Sequence, residues 1–185
     1  MTKSKSSNGW VGFIVRRSIL HIFFGSVIGA IWGAMCIGVA GYIIGFVAGE
    51  AERNFLFSGS YSEAGGMIGL GLGGLTGGII GLIGWFVTGI IAPPSRTYLP
   101  SDSLVRSTMG SMGLATILAV ICYFAWCFGF GLFRYGFSAM IIETLPFAMF
   151  GVPAIMGIGQ VIGIWRGVIK TRQEKQLAPP VSNSN

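Results

Sequence analysis

The chain has 185 residues, of which 52% are apolar and only 10% are charged, and its formal net charge is +6. Soluble domains carry about 25% charged residues, so this chain has too few to cover a surface that faces water. The composition excludes an ordinary soluble domain and predicts that lipid is the solvent for most of the chain.

Four segments without Asp, Glu, Lys or Arg follow one another along the chain: 18–49, 64–95, 107–133 and 144–165. A hydrocarbon core about 30 Å thick needs about 20 helical residues, and every segment is longer. Open strands would leave backbone groups unpaired in lipid, and the segments lack the alternation of a membrane barrel. We therefore predict an all-α, polytopic membrane protein with a four-transmembrane-helix bundle, its helices spanning about 18–48, 64–92, 106–133 and 143–167.

These helices form one predicted transmembrane domain over residues 18–170, between an N-terminal tail (1–17) and a C-terminal tail (171–185). Ten of the 12 Lys and Arg residues lie before helix one, in the connection 93–106, or after helix four. Basic residues accumulate on the cytoplasmic side of membranes. The sequence therefore predicts a multi-pass protein of the cytoplasmic or inner membrane, or its equivalent, with both termini in the cytoplasm. Nucleic acid is not a predicted partner, because no basic stripe with interleaved aromatics is present.

Glycine recurs at every fourth position over much of helices one and two. The positions are Gly25, Gly29, Gly33, Gly41 and Gly45 in helix one, and Gly65, Gly69, Gly73, Gly77 and Gly81 in helix two. Residues four apart lie on nearly the same face, and small-residue faces let helix backbones approach closely in lipid. The spacing predicts a glycine zipper between helices one and two with a right-handed crossing. Glycine faces that contact other membrane-protein subunits or a second copy, or that line a pore, are the alternatives.

Four short-looped helices with glycine zippers in the first two resemble the mitochondrial inner-membrane translocase family in architecture. That family has an Arg/Asp signature near helix two, whereas residues 50–64 of this chain contain Arg53 and no Asp. The resemblance therefore implies no residue role and no function for this chain.

Helices two and four each begin, in this prediction, near a glutamate: Glu63 and Glu143. A carboxylate in a first turn complements the helix dipole, so both are predicted helix caps. Ionised groups inside a bilayer instead mark ion or proton paths. Together with Gln160, the one amide side chain in the four segments, they are therefore also a candidate ion or proton site. Gln160 alone is predicted to hydrogen-bond across helices, and His21 to lie at the membrane interface.

Residues 57–86 and 137–166 match at six positions without gaps, including Glu63 with Glu143 and Trp85 with Trp165. Duplication of a two-helix hairpin, giving a parallel repeat, and shared composition both explain these matches.

The polar residues are too few for a catalytic set, since the chain has one His and one Asp. No enzymatic activity, cofactor or metal site is predicted. Because the distinctive features concern helix packing, we predict a non-enzymatic structural, assembly or accessory subunit of a membrane complex. A small channel or transporter for protons, cations or small solutes, possibly homo-oligomeric, is the alternative that Glu63, Glu143 and Gln160 support. A membrane enzyme is the third hypothesis.

Overall fold

The computed structural model describes residues 7–51, 55–91, 99–133 and 137–177, and side-chain surroundings within 11–50, 60–91, 99–130 and 139–177. The described chain forms four α-helices: α1 (Ser7–Ala51), α2 (Phe55–Ile91), α3 (Asp102–Phe133) and α4 (Phe137–Leu177). All four are long and apolar enough to cross a membrane. The structure thus confirms an all-helical chain with four candidate membrane-spanning helices.

The helices extend beyond the uncharged segments that predicted them. α1 begins at Ser7 rather than near residue 18, α2 at Phe55 rather than near 64, and α4 runs to Leu177 rather than near 167. Polar and charged residues continue a helix readily where they reach water, so a helix does not end where its apolar segment ends. Residues 7–17 and 171–177 of the predicted tails are therefore helical, while 1–6 and 178–185 lie outside the described residues.

The helices pack as two antiparallel hairpins, α1 with α2 and α3 with α4. α4 also contacts α1 and α2, and α1 contacts α3, whereas the described backbones of α2 and α3 do not approach each other closely. The cross-section is therefore a rhombus with α1 and α4 across its short diagonal. The largest core cluster lies on that diagonal and includes Ile37 and Ile44 of α1, Met112 of α3, and Val152 and Met156 of α4.

The charged residues of the described chain mark two levels along the helices. Arg17 of α1, Arg106 of α3 and Arg166 of α4 lie towards one end of the bundle, which we call the basic end, and Glu63 and Glu143 lie towards the opposite end. The helical rise places Arg166 and Glu143 about 35 Å apart along α4. This separation matches a hydrocarbon core about 30 Å thick.

Glycines of α1 and α2 meet in a register that repeats every four residues. The facing residues are Gly25 with Gly81, Gly29 with Gly77, Gly33 with Gly73, Gly41 with Gly65, and Gly45 with Tyr61. A Cβ atom added to a glycine of these pairs would overlap the backbone carbonyl of the facing residue, except at Gly25, where it would overlap the Trp85 side chain. A four-residue stripe drifts by about 40° per step on a 3.6-residue helix, so the two helices must wrap around each other to keep this contact.

A second series of close approaches joins α3 and α4 near the basic end. Gly159, Gly163 and Gly167 of α4 are also four residues apart, and a Cβ added at Gly163 would lie 2.7 Å from the Ser107 carbonyl oxygen. A Cβ at Gly159 would lie 2.6 Å from the Ser111 carbonyl oxygen. The glycine pattern of the sequence does not reveal this contact, because α3 contributes serine and alanine rather than glycine. Small residues four apart in both helices were the available signal.

The start of α3 is fixed to the end of α4 by hydroxyl groups. Ser101 caps α3, since its Oγ accepts a hydrogen bond from the Leu104 amide at 3.4 Å and its carbonyl oxygen lies 3.0 Å from the same nitrogen. Its hydroxyl also lies 2.9 Å from the Thr171 hydroxyl of α4. The α3–α4 hairpin is therefore closed at the basic end by side chains as well as by the glycine contacts.

Gly77→Ala should lower the free energy of unfolding by about 1–3 kcal/mol, because the new Cβ must displace the Gly29 carbonyl and overpacking costs about that much. Gly71 is the matched control, since it lies in the same helix and an added Cβ meets no atom within 4 Å. Gly71→Ala should be neutral or stabilise by up to about 1 kcal/mol through helix propensity. Denaturant titration in mild detergent, followed by circular dichroism, measures both. Equal effects would contradict the close approach of α1 and α2.

Candidate functional site

Gln160 of α4 reaches into the contact between α1 and α2. Its side chain is 0% exposed, and Nε2 donates a hydrogen bond to the Gly77 carbonyl at 3.2 Å. The amide has room because Gly29 and Gly81 lack side chains: an added Cβ would lie 2.8 Å and 3.2 Å from Nε2, respectively. The Gln160 side chain therefore attaches α4 to the α1–α2 hairpin, and it fits there because the neighbouring residues are glycines.

Towards the basic end, the α1–α2 register continues with His21 opposite Trp85. The two rings are 2% and 0% exposed, and their centroids are 6.2 Å apart. The Trp85 indole covers Gly25, where an added Cβ would overlap it. At the next position of the register, two large rings therefore stand where the rest of the interface has a pair of glycines.

Thr88 connects the two rings through hydrogen bonds. Its hydroxyl donates to the Trp85 carbonyl at 2.8 Å, and its Oγ1 lies 3.3 Å from His21 Nδ1. Because the Thr88 proton is directed at the carbonyl, the oxygen accepts from His21, which assigns the imidazole proton to Nδ1. The sequence predicts that His21 lies at the membrane interface, and the structure adds that packing against α2 buries its side chain. A pattern within one helix does not reveal that neighbour.

Trp85 is also the point at which the four helices meet. It forms a buried cluster with Leu104 of α3 and Ile164 of α4, against which Ile28 of α1 packs. A substitution of Trp85 therefore changes packing contacts with all three of the other helices.

Glu63 and Glu143 are exposed and lie far from Gln160. α2 begins at Phe55 and α4 at Phe137, and neither has an acidic residue in its first turn. The first-turn cap prediction for these glutamates is therefore wrong. The helical rise separates Glu143 from Gln160 by about 26 Å along α4, and Glu63 from the level of Gly77 by about 21 Å along α2. The structure does not bring the three candidate ion-site residues together.

Three buried threonine hydroxyls of α3 and α4 are satisfied within their own helices. Thr108, Thr116 and Thr144 each donate to the carbonyl four residues earlier, at 2.8, 2.9 and 2.6 Å. Tyr123 donates to the Ile141 carbonyl at 3.2 Å. The Trp32 indole of α1 likewise donates to the Met109 carbonyl at 2.9 Å. These groups act in packing, and none is left to face a ligand.

A cavity of about 150 Å³ lies between α1, α2 and α4 on the side of Gln160 that faces the opposite end. Its lining is apolar apart from Tyr61 and the backbone of glycines, and it includes Ile37, Ala40 and Ile44 of α1, Ile68 and Leu72 of α2, and Leu145, Ala148, Met149 and Val152 of α4. Such a lining offers water few hydrogen-bond partners. Apart from Tyr61, no polar side chain lines this cavity, so none continues the line directly beyond Gln160.

Comparison with protein-family models, with curated proteins and with solved structures finds no match to this chain. Among the described residues, no group of three or more His, Cys, Asp and Glu side chains is placed to hold a metal ion.

Gln160→Glu should lower the free energy of unfolding by about 3 kcal/mol at pH 7, because the new carboxyl group must either bury a charge or take up a proton. The loss should shrink as the pH falls towards 4, since the unfolded chain then binds the same proton. Gln173→Glu, at an exposed position of α4, is the control and should have little effect at either pH. Chemical unfolding at pH 7 and pH 5 gives the comparison, and a pH-independent loss would contradict a buried Gln160.

Proposed function

We propose that this chain is an integral membrane protein that crosses the bilayer four times and serves, without enzymatic activity, as a structural, assembly or accessory subunit of a membrane complex. The observation that carries the proposal is the contact of α1 and α2, where backbone meets backbone from Gly25–Gly81 to Gly45–Tyr61. Small-residue contacts of this kind drive helix association in lipid, where hydrophobicity does not. We interpret the contact as a glycine zipper that makes the hairpin a rigid packing unit.

The outer surface supports membrane insertion. Large apolar side chains face outwards on every helix, among them Phe23 at 62%, Met67 at 72%, Ile117 at 58% and Phe147 at 75% exposed. Soluble monomers rarely expose continuous apolar surface on this scale. Lipid is the solvent that such a surface matches, over the span between the basic end and the opposite end.

The distribution of charge supports an orientation with the basic end in the cytoplasm. Arg17, Arg106 and Arg166 lie at this end, as do Lys170, Arg172 and Lys175 of α4. Both termini and the connection 93–106 are then cytoplasmic. Arg53 and Arg134, which belong to the other two connections, lie outside the described residues.

Other subunits, or a second copy, have a face of the hairpin available for contact. Gly74 of α2 lies beside Ala34 of α1, and Gly78 beside Ala30, with added Cβ atoms at ordinary contact distances of 3.6 and 3.5 Å. These positions leave room at the surface of the hairpin, whereas the zipper glycines have none. Small residues at such a face would admit a neighbouring transmembrane helix.

Purification in mild detergent tests the proposed role directly. We expect the tagged chain to elute with a larger complex, or as a homo-oligomer, on size exclusion coupled to light scattering. Mass spectrometry of the peak identifies the subunits and their stoichiometry. Elution as a single copy, from membranes in which cross-linking also captures no neighbour, would contradict a subunit role.

Both termini should be cytoplasmic. In a background in which Cys36, Cys122 and Cys127 are replaced, Ser4→Cys and Ser182→Cys should resist an impermeant thiol reagent added outside intact cells. They should react after the membrane is opened. Asn54→Cys, in the connection between α1 and α2, is the control and should react from outside. The reverse pattern would overturn the topology.

A small channel or transporter is the second candidate function. It is favoured by the burial of two polar side chains, His21 and Gln160, between helices that cross the membrane, because polar groups at such positions often line transport paths. Glu63 and Glu143 add no support, since they face outwards and are distant from Gln160.

Glu63→Gln and Glu143→Gln separate the two candidates. We expect each to change the free energy of unfolding by less than about 1 kcal/mol, because both carboxylates are exposed. Neither should alter ion flux into vesicles reconstituted with the purified chain. A cation or proton flux that is lost in Glu143→Gln and kept in Glu63→Gln would instead promote the channel.

A further inference from the structure

Four buried polar atoms between α1, α2 and α4 have no hydrogen-bond partner among the described residues. They are Ser18 Oγ, His21 Nε2, Trp85 Nε1 and Gln160 Oε1. The residues that carry them are 6%, 2%, 0% and 0% exposed. Buried polar groups in folded proteins are nearly always paired, so a cluster of unpaired atoms requires an explanation.

The four side chains follow one line through the bundle. His21, Gly25 and Gly29 succeed one another at four-residue spacing on α1, with Trp85 over Gly25 and Gln160 beside Gly29. The helical rise puts the level of Gln160 about 12 Å from that of His21, with Trp85 between them.

Ser18 extends this line towards the basic end. A Cβ added at Gly89 of α2 would lie 3.0 Å from Ser18 Oγ. The line therefore begins close to the buried Arg17 and reaches about 18 Å into the bundle at Gly29, which is near the middle of a 30 Å hydrocarbon core.

The mixture of donors and acceptors identifies the ligand. An indole Nε1 only donates and an amide Oε1 only accepts, whereas a serine hydroxyl does both. His21 Nε2 accepts, because the Thr88 contact assigns the proton to Nδ1. A simple cation would leave the Trp85 donor unpaired, and a simple anion would leave the His21 and Gln160 acceptors unpaired. Water both donates and accepts, and so satisfies all of them.

We propose that Ser18, His21, Trp85 and Gln160 line a water-binding column between α1, α2 and α4. One water molecule with two hydrogen bonds of about 2.9 Å bridges polar atoms about 5 Å apart, and the centroids of the His21 and Trp85 rings lie 6.2 Å apart. Gln160 then fixes the inner end, with Nε2 on the Gly77 carbonyl and Oε1 towards the water.

The column ends at Gln160. The residues beyond it, including Ile37, Leu72 and Val152, form the apolar cavity of about 150 Å³, where water is not stable. We therefore assign the entry of water to the basic end, next to Ser18, and describe the column as a blind vestibule rather than a path through the membrane. This holds whether or not the chain is a subunit of a complex.

The indole protons provide the test in the unmodified chain. In protein labelled with ¹⁵N-tryptophan and held in detergent micelles, we expect a cross-peak between water and the Trp85 indole N–H. Trp32 is the matched control, because its indole donates to the Met109 carbonyl at 2.9 Å and should show no such cross-peak. Single Trp→Phe variants assign the signals. Absence of a water cross-peak at Trp85, or equal peaks at both indoles, would overturn the proposal.

Thiol accessibility tests the blind end and the side of entry. In a background in which Cys36, Cys122 and Cys127 are replaced by alanine, Gln160→Cys in vesicles should react with a small charged methanethiosulfonate only from the basic side. Val152→Cys is the control in the apolar part of α4 and should react from neither side. Reaction of Gln160→Cys from both sides, or of Val152→Cys, would replace the vestibule with an open path. If Gln160→Cys reacts from neither side while the Trp85 cross-peak is present, the bound water is enclosed and entry from the basic end is contradicted.

Discussion

Glycine leaves the carbonyl groups of α1 and α2 bare, and the bundle is assembled on that exposed backbone. Carbonyl groups of α1 contact glycines of α2, and carbonyl groups of α2 contact glycines of α1, so Ile37 is the main side chain between the two helices along the glycine stripe. Gln160 of α4 then donates to one of these carbonyls, that of Gly77. α3 packs mainly on α4, and its described backbone does not approach that of α2 closely. Each successive contact therefore depends on how closely the first two helices lie.

The sequence predicted the helices well and their ends poorly, for one physical reason. Long uncharged segments predict where a helix could cross a membrane, and hence where its backbone hydrogen bonds would have to be internal. They do not report where the helix stops once it reaches water. Glu63 and Glu143 illustrate the error, since both fall well inside helices that begin at Phe55 and Phe137. Both are exposed carboxylates on the surface of a helix and do not cap a first turn.

Contacts between helices were predictable only where one residue type dominates. The regular glycines pointed to α1 and α2 as neighbours, whereas Gly163 of α4 faces serines whose role a glycine pattern does not reveal. His21 was read from its own helix alone, and its burial depends on Trp85 and Thr88, more than 60 residues away. Some polar groups, such as that of Thr116, thus find a hydrogen-bond partner within their own helix. Others have neighbours from distant parts of the sequence, which only the packed bundle shows.

A stripe of glycines that repeats every four residues lets two helices pack closely, but it does not determine the register in which they pair. Sliding α1 along α2 by four residues, about 6 Å, would set most glycines against glycines again. Large residues in the stripe favour one of these alignments. Ile37 of α1 lies against Gly69 and Gly73 of α2, and the rings of His21 and Trp85 end the series of glycine pairs. The glycines thus allow the two helices to approach closely, and the large residues determine their register. A chain without Trp85 would have two hairpin alignments close in energy, each presenting a bare carbonyl to Gln160.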